Sequence, residues 1–306
     1  MNRDVESPST DRASKLPAVL WERRLPLVAN TGDRVDAERF DEAGTETLPR
    51  VTRTGDRFMK VLGVDATGHV ASCALVEEGD LIAEAILNVG LKHSETLLLL
   101  IEQLLNSAKC TVRDLDCISV SIGPGSFTGI RIGVATVKGL AFPHDIPCCG
   151  VSTLEALASQ VFSFDGLVCP VMDARQSQVY NALFEQDGEK LLRLTPDRAL
   201  PIDELLDELC SFKKPVCFTG DAADLCQQRK PCEVTFFALP GHARMQRAAA
   251  VALLCNPNNA VSADALIPSY LRVPQAERVR RQKHSQAEER LSGTTILAND
   301  ACSTAT

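Results

Sequence analysis

The sequence predicts a two-lobed α/β fold in which a unit of order β-β-β-α-β-α occurs twice. Strand-like and helix-like apolar runs alternate from Met59 onward. The two halves of this region also begin alike, each with an apolar strand that ends at an aspartate, Asp65 or Asp173, and continues into a turn and a hairpin. This repeated arrangement indicates an internal duplication.

The first half contains five strand-like and three helix-like segments. Ser94 stands at the start of the first helix-like run, where its hydroxyl group is expected to cap the helix. Residues 77–80, Glu-Glu-Gly-Asp, predict a hairpin turn. The predicted elements, in order, are strands at 60–65, 70–76 and 81–89, a helix at 95–108, a strand at 115–122, a helix ending near 142, a strand near 147–151 and a helix near 154–160.

The second half repeats the opening of the first, with a hairpin turn predicted at Asp187-Gly188. Its predicted elements are a strand at 167–173, hairpin strands at 178–184 and 190–194, a helix at 202–210, a strand at 215–219, a helix at 221–228, a strand at 233–237 and a helix at 242–254. The duplicated order is the pattern of the actin-like ATPase fold (ASKHA, ribonuclease H-like), and a fold by itself does not give a function.

The composition of the chain changes near both ends. Residues 1–58 are polar with little periodicity and are expected to be a disordered N-terminal extension. Residues 59–162 are predicted to form an N-terminal lobe and 163–274 a C-terminal lobe. Residues 275–306 are expected to be a disordered or partly helical tail.

Length and charge are those of an ordinary globular protein. The chain has 306 residues, of which 45% are hydrophobic and 24% charged. The net charge of −8 lies within residues 59–274, and an acidic core argues against that core as the main nucleic-acid surface. The first 30 residues lack the continuous apolar core of a signal peptide, and the run Leu97–Ile101 is too short to span a bilayer. We therefore expect a cytoplasmic protein without a membrane segment.

The chain contains 12 cysteines but no Cys-x-x-Cys pair. Several of them, among them Cys73, Cys117, Cys169 and Cys217, lie in strand-like apolar runs. Reduced, buried thiols are therefore a better interpretation than disulfides or a zinc site. The five histidines have no second ligand at helical spacing, so no histidine metal site is predicted.

The segment Gly123-Pro-Gly-Ser-Phe-Thr-Gly-Ile-Arg-Ile-Gly133 follows a predicted strand and opens a predicted helix. Its glycines at 125, 129 and 133 fall on one helix face. Two functions could use such a segment. One is phosphate binding at a helix N-terminus, and the other is close packing against a partner helix. We favour the packing role for Gly129 and Gly133, and a role in the turn for Gly125.

Four residues are candidates for remnants of a nucleotide site: Asp65, Thr67, Asp173 and Gly220. In actin-like kinases an aspartate at the end of the first strand holds a metal-bound nucleotide. The alternative is an aspartate that caps backbone amides of its turn, and we favour it slightly. The turn after Asp173 has no glycine that would let backbone amides reach a phosphate, which argues against strong nucleotide binding.

The predicted helix at 95–108 carries more apolar residues than one stripe needs. A helix that packs only on its own sheet would leave part of this surface exposed. We therefore predict a protein–protein interface made by this helix and the glycine-rich helix. The candidate partner-binding residues are His93, Leu97, Leu100, Ile101, Leu104, Phe127, Thr128, Gly129, Arg131, Ile132 and Gly133.

Seven stretches occur in a fixed order along residues 59–274: Asp65-Ala-Thr, His93-Ser-Glu-Thr-Leu-Leu, Gly123 to Gly133, Val137-Lys-Gly-Leu-Ala, Val151-Ser-Thr-Leu-Glu-Ala-Leu, Asp173-Ala-Arg and Pro268-Ser-Tyr-Leu-Arg. In these stretches the sequence resembles the bacterial TsaB (YeaZ) family. The turn Asp65-Ala-Thr-Gly departs from the usual Asp-Thr-Ser-Thr of the family, which weakens any direct nucleotide contact there.

The resemblance implies a two-lobed actin-like fold and a role in making threonylcarbamoyladenosine in tRNA. It implies a heterodimer with TsaD through a helical bundle, the addition of the ATPase TsaE, and contact with tRNA only through the complex. It implies no cofactor of the chain's own, with ATP or ADP and metal in the partner subunits or at a shared interface. An isolated chain is expected to form a homodimer.

The resemblance also implies that the chain is not an enzyme. The catalytic relative TsaD holds a metal ion with two histidines just after the strand that ends here at Val151. The matching positions are Thr153 and Leu157, which are not metal ligands. The alternative hypothesis is a stand-alone actin-like ATP-dependent transferase or phosphotransferase.

Overall fold

The structure is a computed structural model that describes residues 59–90, 92–187, 190–229 and 234–272. The predicted extension at 1–58 and the predicted tail at 275–306 lie outside the described residues.

The first sheet has five strands in the order β3-β2-β1-β4-β5. β2 runs antiparallel to both β1 and β3, and β4 and β5 run parallel to β1. Alternate residues of each strand face opposite sides, so Leu62 enters one core and Val61 another. The strands are β1 (Lys60–Asp65), β2 (Ala71–Glu77), β3 (Asp80–Leu87), β4 (Cys117–Gly123) and β5 (Cys148–Ser152).

The second sheet repeats this order with β10-β7-β6-β11-β12. β7 runs antiparallel to β6 and β10, and β11 and β12 run parallel to β6, as in the first sheet. The predicted duplication is therefore confirmed. The strands are β6 (Gly166–Asp173), β7 (Gln178–Asn181), β8 (Phe184–Asp187), β9 (Lys190–Arg193), β10 (Arg198–Pro201), β11 (Val216–Thr219) and β12 (Phe236–Ala238).

The predicted hairpin of the second half was wrong in detail. The predicted strand at 178–184 is two strands, β7 and β8, and the predicted strand at 190–194 pairs with β8 rather than with β7. The third position of the repeat belongs to β10, which pairs antiparallel with β7 and was not predicted. The hairpin β8–β9 is an addition that extends the sheet beside β6.

Six α-helices in the described part of the chain cover the faces of the two sheets. Ser126 accepts a hydrogen bond from the Gly129 amide at 3.2 Å and caps α2 as such a residue should. The predicted cap at Ser94 was wrong, because α1 begins at His93 and Lys92 occupies the cap position without a side-chain hydrogen bond. The helices are α1 (His93–Ser107), α2 (Phe127–Ala141), α3 (Thr153–Ala158), α4 (Ile202–Ser211), α5 (Ala223–Gln228) and α6 (Ala248–Leu253).

The two faces of the first sheet are covered by helices from different parts of the chain. α1 and α2 pack on the face that contains Leu62 and Val64. α6 packs on the face that contains Val61, so closely that a methyl group at Gly63 would lie 2.2 Å from the Ala248 carbonyl oxygen. The predicted C-terminal lobe at 163–274 thus includes a helix that completes the core of the first sheet.

α3 links the two sheets. Its residue Ala156 enters the core beneath α6, whereas Leu154 and Leu157 enter a core with Val168 of the second sheet. α4 and α5 cover the opposite face of the second sheet. The short helix α3 is therefore held by side chains from both halves of the chain.

Nine of the described cysteines are free and buried. They include Cys73, Cys117, Cys169 and Cys217, which the sequence places in strands. Cys210 departs from the expectation of reduced thiols, because it is disulfide-bonded.

Candidate functional site

The carboxylate of Asp65 accepts hydrogen bonds from other residues of the same chain. It accepts hydrogen bonds from the amide and the hydroxyl group of Thr67, each at 2.8 Å, and from the hydroxyl group of Ser121 on β4. Asp65 is fully buried, and burial raises its pKa although these hydrogen bonds act in the opposite direction. This geometry matches an aspartate that caps its own turn, and Ser121 is a partner that the sequence did not reveal.

The turn after β1 is also tied to the first helix. His93 Nε2 lies 2.9 Å from the carbonyl oxygen of Gly68, and because a carbonyl oxygen can only accept, this nitrogen donates. This contact fixes the start of α1 on the turn that follows β1. Binding of a partner protein by His93 stays a prediction.

The glycine face of α2 lies against the chain's own first sheet. A methyl group at Gly129 would lie 2.0 Å from the Ala66 carbonyl oxygen. One at Gly133 would make ordinary contacts with Val120 and Ala66, at 3.5 and 3.7 Å. Close packing is thus the role of these glycines, and their neighbours are Ala66, which follows β1, and Val120 of β4. Their place at a partner interface stays a prediction.

Gly125 serves the turn between β4 and α2, as expected. Its φ is +156°, and a methyl group there would lie 2.5 Å from the Thr67 carbonyl oxygen. The Ser126 amide donates to the same oxygen at 2.7 Å. The start of α2 and the turn after β1 therefore form one packed unit.

A cavity of about 590 Å³ lies between this unit and the start of β7 in the second half of the chain. Such a volume is within the usual range for small-molecule sites. Thr67 and Asp173, two of the four candidates for nucleotide contact, line it, and Asp65 and Gly220 do not. The lining comprises residues 67–69, 124–128, 130, 172–176, 180, 221 and 269–272.

Part of the cavity wall is the turn between β6 and β7, and this turn contains no glycine. Arg175, Gln176 and Ser177 all adopt left-handed backbone angles, with φ of 66°, 57° and 56°. The Arg175 amide donates to Asp173 Oδ1 at 2.7 Å, so the turn satisfies its own amide. Asp173 here caps backbone as Asp65 does in the first half.

Asp221 supports the same turn. Its Oδ1 accepts a 2.9 Å hydrogen bond from the Asp173 amide. The pKa of Asp221 is raised, because desolvation outweighs the opposing effects of that hydrogen bond and of the nearby His69. Gly220, with φ of +95°, is packed against β6, because a methyl group there would lie 2.2 Å from the Val171 carbonyl oxygen.

The segment 269–272 closes one side of the cavity and joins its two halves. The Ser269 amide donates to the Ile122 carbonyl oxygen at 2.8 Å, at the end of β4. Three residues further, the guanidinium group of Arg272 donates to the carbonyl oxygen of Ala174. In the sequence this segment is one of the stretches that carry the family resemblance, but the sequence analysis assigned it no role.

Arg131 is held in place beside this segment. Its guanidinium carbon lies 3.8 Å from the centre of the Phe127 ring, and its Nε donates to the Tyr270 hydroxyl group at 3.1 Å. The Phe127 and Tyr270 rings lie 4.8 Å apart. An exposed arginine is thereby ordered by two aromatic rings.

α1 does expose apolar side chains beyond those that pack on its own sheet, but they are not the ones that the sequence analysis named. Leu97, Ile101 and Leu104 are buried in the core of the first sheet, and Leu100 packs against that core. The exposed residues are Leu98 and Leu99, at 55% and 57%. Four consecutive leucines have no periodicity, so the sequence did not reveal which of them face outward.

Thr153 and Leu157, the positions that the resemblance aligns with metal ligands, are both buried. Leu157 packs with Val168, and the Thr153 hydroxyl group has no hydrogen-bond partner among the described atoms. Within the described ranges, no three His, Cys, Asp or Glu side chains are grouped so that they could hold a metal ion. Among the described helices, none has the length and apolar character needed to cross a bilayer.

Comparisons with known proteins agree with the resemblance. The family model of TsaD, tRNA N6-adenosine threonylcarbamoyltransferase, matches residues 88–278. The tRNA threonylcarbamoyladenosine biosynthesis protein TsaB of Bacillus subtilis is 35% identical over 72% of this chain and 96% of its own length. The TsaB protein of Escherichia coli is 32% identical over 42% of this chain and 56% of its own length.

A solved structure has the same fold. YeaZ from Pseudomonas aeruginosa superposes with a TM-score of 0.59 and 23% sequence identity. The match covers 70% of this chain and all of that protein. At this level of identity the likeness concerns the fold, and it supports the two-lobed α/β architecture that the sequence predicts.

Proposed function

Because this chain belongs to the TsaB family of tRNA threonylcarbamoyladenosine biosynthesis proteins, we propose that it is a non-catalytic subunit in the making of that modified nucleoside. It binds a TsaD-type threonylcarbamoyltransferase and holds it in an active arrangement. It also forms part of the surface to which TsaE docks, and it meets tRNA through the complex. ATP or ADP and any metal ion belong to the partner subunits or to a shared interface.

The observation that carries this proposal is the exposure of Leu98 and Leu99 on α1. The other leucines of the helix fill the chain's own core, so these two are not needed for folding. Burial of each against a partner would contribute roughly 1.5–3 kcal/mol before the costs of association. Adjacent exposed leucines on a regular helix are typical of a protein interface.

The absence of catalysis is supported by the same residues that form the two turns. The Asp65 carboxylate already accepts three hydrogen bonds, so a metal-bound nucleotide would have to displace them. The turn after Asp173 presents no glycine to a phosphate. Thr153 and Leu157 supply neither of the two histidines that hold a metal ion in the catalytic relative.

Co-purification with the TsaD protein of the same organism tests the proposal. We expect the wild-type chain to elute with TsaD, and the double variant Leu98→Glu/Leu99→Glu to elute alone. Leu253→Glu is a matched control, because Leu253 is a leucine of α6 that is 40% exposed. Circular dichroism and melting temperature establish that both variants are folded.

Two negative results would have different meanings. If wild-type chain and TsaD do not associate, the subunit function is wrong. If they associate and the double variant binds as well as the wild type, the assignment of α1 as the contact is wrong.

The alternative is a stand-alone ATP-dependent transferase or phosphotransferase. The specific observation in its favour is the cavity of about 590 Å³, which Thr67 and Asp173 line. Calorimetric titration of the purified chain with Mg-ATP distinguishes the two functions. Micromolar binding accompanied by turnover would favour the enzyme, and the subunit predicts neither.

A further inference from the structure

Three cysteines that are far apart in the sequence meet beneath α6. Cys117 lies on β4, Cys149 on β5, and Cys255 just after the end of α6. The Cys255 thiol donates to Cys117 Sγ at 3.3 Å. All three side chains are at most 3% exposed. We call Cys117, Cys149 and Cys255 the thiol cluster.

The strand geometry explains why these thiols meet and a fourth one does not. β4 and β5 are parallel neighbours with Ser119 opposite Cys149, so Cys117 and Cys149 lie diagonally on the same face. That face belongs to the core under α6. Cys148 is adjacent in sequence, but it points into the opposite core because successive side chains of a strand alternate.

We propose that the thiol cluster is an oxidation site at which peroxide produces a disulfide that includes Cys255. This inference is independent of the proposed function. Cys255 is the common member because its thiol lies 3.3 Å from Cys117 Sγ and because it shares the core under α6 with Cys149.

The pKa values of Cys149 and Cys255 shift in directions that favour disulfide formation. The neighbouring Cys255 thiol lowers the pKa of Cys149 to about 7, against the opposing effect of burial. The pKa of Cys255 is raised, first by its hydrogen bond with Cys117 and then by that with Cys149. Cys149 is therefore partly ionised near neutral pH, whereas Cys255 remains the thiol.

One member of the thiol cluster contacts the segment that follows α6. Cys149 Sγ lies 3.9 Å from the carbonyl oxygen of Asn256, a half-buried residue of the surface segment that follows α6. Residues 257–259 continue this segment as one short helical turn. A local opening of that turn, without loss of the sheet, would admit a molecule as small as hydrogen peroxide.

The reaction balances with peroxide as the oxidant. The Cys149 thiolate attacks one peroxide oxygen, an S–O bond forms, the O–O bond breaks, and the leaving hydroxide takes up a proton to become water. Cys255 sulfur then attacks the sulfenic sulfur, an S–S bond forms, and a second water leaves with the thiol proton. Two thiols lose two electrons, and one peroxide becomes two waters. Attack by Cys117 on the sulfur of Cys255 can move the bond and release Cys149.

Peptide mapping of the native chain tests the proposal. The purified full-length chain is treated with hydrogen peroxide in the absence of denaturant, the remaining thiols are alkylated, and disulfide-linked peptides are identified by mass spectrometry against an untreated sample. We expect peroxide-dependent linkage of Cys255 to Cys149 or Cys117. We expect this linkage to be lost in Cys255→Ser and kept in the matched control Cys148→Ser.

Two results would overturn the proposal. One is the absence of any peroxide-dependent linkage of Cys255 in the folded wild-type chain. The other is linkage of Cys148 to the same extent as the members of the thiol cluster. These readings use the wild-type chain, so they hold even if Cys255→Ser fails to fold. Cys117→Ala then serves as the second variant, and it should leave only the link between Cys149 and Cys255.

Discussion

Gly129 lies against the carbonyl group of Ala66, and a methyl group at this glycine would lie 2.0 Å from that oxygen. The first turn of α2 therefore rests directly on the residue that follows β1. Because the neighbour is backbone, it cannot rotate away as a side chain could. The position of α2, and with it one wall of the cavity, depends on the absence of one side chain.

Replacement of Gly129 by alanine should lower the free energy of unfolding by about 1–3 kcal/mol, because α2 must shift from β1 to accommodate the methyl group. The matched control is Gly139→Ala on the same helix, where an added methyl group meets nothing within 4 Å. That change should stabilise the chain by up to about 1 kcal/mol through helix propensity. Urea unfolding measures both, and equal effects of the two changes would contradict the packing described here.

Replacement of Arg193 should lower the free energy of unfolding more than replacement of an ordinary surface arginine. It donates to Asp197 at 2.7 Å and to Glu155 of α3 at 2.8 Å, and Asp197 also accepts from Ser152 at 2.6 Å. Arg193→Met would leave two half-buried carboxylates without their cation, at a cost of about 1–3 kcal/mol in unfolding free energy.

The matched control for Arg193 is Arg229→Met. Arg229 forms a 3.8 Å ion pair with Asp203, whose side chain is 83% exposed. Exposed pairs of this kind contribute less than about 1 kcal/mol. If the two methionine variants unfold at the same urea concentration, the network around Arg193 does not anchor α3.

The stability of the chain should carry a pH dependence that comes from Asp65. Burial raises its pKa in the folded chain above the ordinary 3.8, so the folded state binds this proton more tightly than the unfolded state. The contribution of Asp65 is therefore greatest below pH 3.8 and is lost as pH rises through the folded pKa. Asp65→Asn removes this dependence.

Unfolding free energies of the wild type and of Asp65→Asn, measured from pH 4 upward, provide the check. We expect the stability of the wild type relative to the variant to fall as pH rises. A relative stability that rises with pH would mean that the hydrogen bonds from Thr67 and Ser121 outweigh burial.

The exposed leucines of α1 should also control self-association. In the absence of a partner, Leu98 and Leu99 offer a face that a second copy of the chain can cover. We expect light scattering to give a dimer for the isolated wild type and for Leu253→Glu, and a monomer for Leu98→Glu/Leu99→Glu. A dimer that persists in the double variant would place the self-association surface elsewhere.

Much of the fold could be predicted because it depends on local patterns. The apolar runs from β1 to β5 and the glycine-rich start of α2 predicted the order of strands and helices along the first half of the chain. β10 was missed because Arg198–Pro201 is a four-residue edge strand with an arginine and a proline, and it has no alternation to recognise. Its place is set by pairing with β7.

The candidate site was harder to predict because its decisive contacts join distant residues. Asp65 was recognised as an alternative capping residue, but its partner Ser121 lies 56 residues away. The thiol cluster joins Cys117 to a residue 138 positions further along, and no spacing rule connects them. The outward face of α1 could not be predicted, since consecutive leucines look alike until a sheet buries some of them.

The position of α6 has a consequence for the order in which the molecule can fold. The strands of the first sheet end at residue 152, but the helix that covers their second face begins at residue 248. During synthesis the ribosome must therefore produce the entire second sheet before the first can close its core. A nascent or truncated chain that stops before α6 would present Val61, Val76 and Val151 to water, so the sheet that is made first is the second to become protected on both faces.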